Sequence, residues 1–147
     1  MGRISIKGVI IGGITDIVST FVLTLPVLVY FMISSEVLRL PNEQARVAAL
    51  TAAMQGNVQL YGILMLIGAG CSVLGGYVAA RLAKHDELLN GLLSSVFCIA
   101  IGVYSMLAAK GFGSFPWHAT LIAVSALSGL LGGYLRLRHI RARASPS

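Results

Sequence analysis

Residues 9–33 read VIIGGITDIVSTFVLTLPVLVYFMI, a 25-residue run with one charge, Asp16. About 20 apolar residues in a helix cross a bilayer core of about 30 Å, so this stretch is long enough to span. Three further stretches share its character: residues 58–80, 88–109 and 119–135 carry no charge. The runs are continuous and lack the alternation of a transmembrane β-barrel. The prediction is an all-α polytopic membrane protein: one transmembrane domain over residues 1–147, four transmembrane helices and a basic tail at 136–147.

Composition points the same way. The chain is 56% apolar and only 11% charged, against about 45–50% and about 25% in a typical soluble domain. Its mean hydropathy is +0.85. So few charges cannot cover a soluble domain of this size, and so apolar a chain is not disordered. The apolar run after residue 8 is too long for a signal-peptide core.

The eleven Lys and Arg residues set the orientation. With the N-terminus inside, Arg3, Lys7, Arg81, Lys84, Arg136, Arg138, Arg141 and Arg143 lie on the cytoplasmic side. Only Arg39, Arg46 and Lys110 lie outside. Both termini are therefore expected in the cytoplasm, and so strong a bias opposes insertion in both orientations. The net charge of +6 reads as topology signal and lipid contact, not nucleic-acid binding. Arg81 and the tail arginines Arg136, Arg138, Arg141 and Arg143 are expected at anionic lipid headgroups.

Between the spans, residues 34–57 form a long outer loop. Pro41-Asn42 signals a helix start and Gln55-Gly56-Asn57 a stop, with Val47, Leu50 and Met54 on one face. This reads as a short amphipathic helix on the outer surface, either a linker or a lid. Residues 110–118, rich in Gly and aromatics, read as an outer loop carrying an interfacial aromatic belt. Asp86 is expected to cap the third span.

Helices in lipid associate through close packing of small residues. Gly91, Ser95, Cys98, Gly102, Ser105 and Ala109 form such a seam on the third span, spaced 4, 3, 4, 3, 4. The second span offers Gly68, Ser72, Gly76 and Ala80, and the fourth Ser125, Gly129 and Gly133. Leu74-Gly75-Gly76-Tyr77 recurs as Leu131-Gly132-Gly133-Tyr134, which suits two tandem helical hairpins. The run from Gly75-Gly76-Tyr77 through the polar turn to Leu88-Leu89-Asn90-Gly91-Leu92-Leu93 resembles small four-helix bacterial membrane proteins of the YrzE type. The resemblance implies a bacterial inner-membrane location. It brings no activity and no functional residues.

Asp16 lies about 10 Å into the first span. A charge deep in a bilayer costs about 2.5–3.5 kcal/mol on insertion scales, so the carboxyl must be neutralised, paired or wetted. A helical projection places Gly8, Gly12, Thr15, Asp16, Ser19, Thr20 and Thr24 on one half and Ile, Val, Phe and Leu on the other. Asp16 with Thr15, Ser19 and Thr20 is thus either a protonation or cation site, or a structural group whose carboxyl makes an interhelical hydrogen bond or snorkels to the nearby cytoplasmic interface. Cys71 and Cys98 read as reduced packing residues. His85, His118 and His139 stand at membrane edges and cannot share a metal. No nucleophile elbow, Walker or HExxH motif occurs, so neither an enzyme nor a cofactor is expected. The sequence suits a non-enzymatic accessory or assembly partner of a larger membrane complex, or a homo-oligomer bound to other membrane helices. The alternative is a small proton- or cation-coupled transporter or channel using Asp16.

Overall fold

A computed structural model describes residues 4–35, 37–108 and 115–144, except the side chains at 51, 54, 55, 102, 105–108, 115–119, 121 and 144. Among the described residues the protein is all-α, with five α-helices: α1 (Ile6–Ser34), α2 (Glu43–Gly56), α3 (Val58–Ala83), α4 (Glu87–Ala108) and α5 (Phe115–Ala144). A 3₁₀ turn, Val37–Arg39, precedes α2. Helices α1 and α3 are long and apolar enough to cross a membrane.

Local chemistry explains the boundaries. Ser5 stands before α1, and its Oγ accepts from Gly8 N at 3.2 Å. Pro26 lies inside α1, where its missing N–H leaves the Val22 carbonyl without the usual helical donor. Asn42 caps α2 from an extended conformation, its Oδ1 accepting from Ala45 N at 2.7 Å. Asn57 serves two helices. Its N–H closes α2 on Ala53 O, and its Oδ1 accepts from Leu60 N at the start of α3.

The ends of α5 differ from the sequence expectation. The helix begins at Phe115, inside the expected loop, and continues to Ala144, through the expected tail. No Gly or Pro lies between Gly133 and Ala144, and Leu, Arg and Ala are strong helix formers. Arg141 and Arg143 occupy the last turn, where cations complement the helix dipole.

The described chain divides into two compact units. One combines Met1–Ser19 with Ala69–Ser147, and the other is Thr20–Gly68. In the first unit glycines bring four helices into backbone contact. A Cβ at Gly12 would stand 2.6 Å from Gly75 O on α3, and one at Gly8 would stand 2.9 Å from Ala79 O. The falling register, 8 with 79 and 12 with 75, makes α1 and α3 antiparallel. Helices α4 and α5 are antiparallel too, Gly91 meeting Gly129 and Gly133, and Ser95 meeting Gly129. Gly76 meets the Gly129 carbonyl, and Gly132 that of Val73, which joins α3 to α5. Helix α1 runs parallel to α4, with Ser5 bonded to Asn90 and Gly13 against Phe97.

In the second unit Arg46 Nε donates to Leu40 O at 3.0 Å, and Val37, the first residue of the 3₁₀ turn, is buried. Val47 is 58% exposed on α2, Leu50 is half-buried, and the Met54 side chain lies outside the described residues.

Candidate functional site

Asp16 is buried to 1% exposure in the first unit. Its Oδ2 accepts from Ser72 Oγ of α3 at 2.9 Å and from Cys98 Sγ of α4 at 3.1 Å. One carboxyl oxygen therefore joins three helices. The α1–α3 crossing makes this possible, because a Cβ at Gly75 would stand 2.7 Å from Asp16 Cβ. With no side chain at position 75, α1 approaches until Ser72, one turn away, reaches the carboxyl.

The other three residues grouped with Asp16 behave differently. Thr15 Oγ1 donates at 2.8 Å to Ile11 O of its own helix, a local bond that satisfies the hydroxyl without a second helix. Ser19 and Thr20 are half-buried. Among the described residues, no group of three His, Cys, Asp or Glu side chains could hold a metal ion. Cys71, 1% exposed, and Cys98 are free thiols. Such a shielded carboxyl, met by a hydroxyl and a thiol from two other helices, can fix helix register.

The small-residue positions divide by neighbour. Gly91, Ser95, Gly129 and Gly133 line the α4–α5 contact, while Gly76 turns to α5. Ser72 and Cys98 turn to Asp16. At Gly68 a Cβ would meet nothing within 4 Å among the described residues. The surroundings of Gly102, the side chain of Ser105 and all of Ala109 lie outside what the structure describes. Arg81, Arg138, Arg141 and Arg143 are exposed, whereas Arg136 is half-buried. Its Nε is buried and has no hydrogen-bond partner among the described residues.

Sequence reading missed Asn90, which is 0% exposed. Its Oδ1 accepts from Ser5 N at 2.8 Å, and its Nδ2 donates to His85 O at 3.0 Å and Asp86 O at 3.1 Å. An amide among the leucines of residues 88–93 was the available signal, since a polar group in an apolar run needs partners. Asp86 immediately precedes α4 and its carbonyl accepts from Asn90 N. Its φ of 45°, however, is not the extended conformation usual at an N-cap.

No protein-family model, curated protein or solved structure matches this chain.

Proposed function

We propose that this chain is a non-enzymatic integral membrane protein that serves as an accessory or assembly partner of a larger membrane complex, or assembles with itself. The observation that carries the reading is the state of Asp16. The one ionisable residue well inside an expected span is 1% exposed and bonded to Ser72 and Cys98. Its carboxyl is thus engaged in holding helices together, leaving α1 to offer its surroundings an apolar surface. Phe21, Val22 and Tyr30 are exposed there; in a bilayer this surface meets lipid or other helices.

The proposed topology has four transmembrane helices, α1, α3, α4 and α5, with both termini in the cytoplasm of a bacterium and the chain in its inner membrane. Its supports are the eight-to-three charge bias, the YrzE-type resemblance, and helix directions that alternate from α1 to α3 and from α4 to α5. Anionic headgroups would meet the exposed Arg81, Arg138, Arg141 and Arg143. A cytoplasm-only reporter after Ser147 should be active, and a periplasm-only reporter should be active within residues 34–57. A C-terminal fusion active in the periplasm reverses the orientation.

Purification in mild detergent at native expression, followed by mass spectrometry and sizing, tests the role. Recovery of a defined partner or oligomer is expected; a monomer without partners overturns it. A second reading, proton or cation coupling, is favoured by the burial of Asp16, the one carboxyl well inside an expected span. Small multidrug exporters likewise combine four helices with an early acid. Liposomes carrying a pH dye test it: unchanged flux in Asp16→Asn leaves Asp16 a structural group.

A further inference from the structure

We infer that Asn90 is a latch that makes the start of α1 and the α3–α4 turn open and close as one unit. The turn has three residues, Lys84, His85 and Asp86, between Ala83 and Glu87. Two of them are left-handed: Lys84 has φ 59° and Asp86 φ 45°. Lys has neither the freedom of Gly nor the local hydrogen bonding that eases Asp or Asn into this region. A turn so built is held by its surroundings, and the Asn90 side chain holds it by donating to the His85 and Asp86 carbonyls.

The other end of the same amide accepts from Ser5 N. That N–H lies at the start of α1, where helices leave backbone donors without internal partners. Ser5 in turn organises the first helical turn, its Oγ accepting from Gly8 N and its carbonyl from Val9 N. An Asn amide is planar, so both functions are fixed by one torsion. If Ser5 leaves, Oδ1 loses the backbone donor that orients it, and rotation of the amide withdraws Nδ2 from both turn carbonyls. The left-handed residues then drive the turn to relax. Fraying of α1 is thereby transmitted to a turn some 80 residues away in sequence, |i−j| = 85 for the Ser5–Asn90 bond. A force or partner acting on the residues before Ser5 would loosen the α3–α4 turn. This coupling holds whichever membrane role the chain has.

Hydrogen exchange on the full chain in detergent tests it. In the unaltered chain the amides of Gly8, Val9, Lys84 and Asn90 should show protection within about threefold of one another, falling in parallel as denaturant rises, as members of one opening unit do. Asn90→Ala should accelerate exchange at both segments by about tenfold or more. Ser5→Pro, which deletes the donor but leaves the turn sequence intact, should accelerate Lys84 and Asn90 as well. Ser94→Ala is the control: Ser94 is also fully buried, but its hydroxyl donates to Gly91 O within α4, so neither segment should change. The latch is overturned if Ser5→Pro leaves Lys84 and Asn90 at wild-type rates. It is equally overturned, without any variant, if the two segments of the unaltered chain differ more than tenfold in protection.

Discussion

In the unit formed by Met1–Ser19 and Ala69–Ser147, a Cβ at Gly12, Gly75 or Gly91 would stand 2.6–2.7 Å from a carbonyl oxygen of a neighbouring helix. In the Thr20–Gly68 unit, a Cβ at Gly56, Gly62 or Gly68 would meet nothing within 4 Å among the described residues, as at Gly70 just inside the first unit. The same residue type thus does two different things. At Gly12, Gly75 and Gly91 it lets backbones touch, which is how helices associate where lipid supplies no hydrophobic drive. In the second unit it costs backbone entropy without a contact to offset it. A small residue at every fourth position permits close packing, and a neighbour at the right height decides whether packing occurs.

The largest expected effect comes from filling a contact. Gly76→Leu presses a side chain onto the Gly129 carbonyl, which cannot rotate away, so the loss should reach or exceed about 3 kcal/mol, the upper end of ordinary overpacking. Gly68→Leu, facing open space, should stay within about 0.5 kcal/mol. Thermal melting in detergent reads both, and equal melting temperatures would erase the contrast between the units.

Next comes the carboxyl that joins three helices. Asp16→Leu strands the Ser72 hydroxyl and the Cys98 thiol, at about 1–3 kcal/mol for a buried donor left unpaired. Asp16→Asn keeps an acceptor oxygen and should lose clearly less. Unfolding in a denaturing-detergent titration separates them, and identical losses would mean that the hydrogen bonds contribute nothing.

Smaller effects sharpen the comparison. Asn42→Ala removes the α2 cap and should cost about 1 kcal/mol. Because that cap lies in the Thr20–Gly68 unit, hydrogen exchange should rise within α2 while amides near Asp16 keep their rates. A rise in both places would show that the units unfold together. Lys84→Gly should raise stability by about 0.5 kcal/mol, as relief of the left-handed strain slightly exceeds the entropy lost with glycine. A lower melting temperature for this variant would show that the Lys84 side chain contributes more than its backbone strain costs.

Much of the helical layout was legible because it depends on local features. Continuous apolar runs, Asn42 before Glu43 and the polar stripe of α1 with Gly8, Gly12 and Asp16 need only composition and a 3.6-residue period. The extent of α5 was less legible, since hydropathy falls at the arginines while helix propensity does not. Asn90 escaped notice because an amide near a helix start reads as polar trim until its partners are known.

The sequence by itself determined that the chain is helical and strongly apolar, where α1 to α4 lie to within a few residues, and that Asp16 shares a face with glycines and hydroxyls. Only the tertiary structure decided which neighbour each small residue meets. It gave Gly75 to α1 and Gly76 to α5, although the two are adjacent in the chain. It also brought Ser72 and Cys98, 56 and 82 positions from Asp16, onto one carboxyl oxygen. The physical reason is range. Helix formation is fixed by interactions within about four residues. A buried polar group is satisfied by whatever the packing of distant segments brings within hydrogen-bond reach, and contact between glycine-lined backbones sets that geometry here.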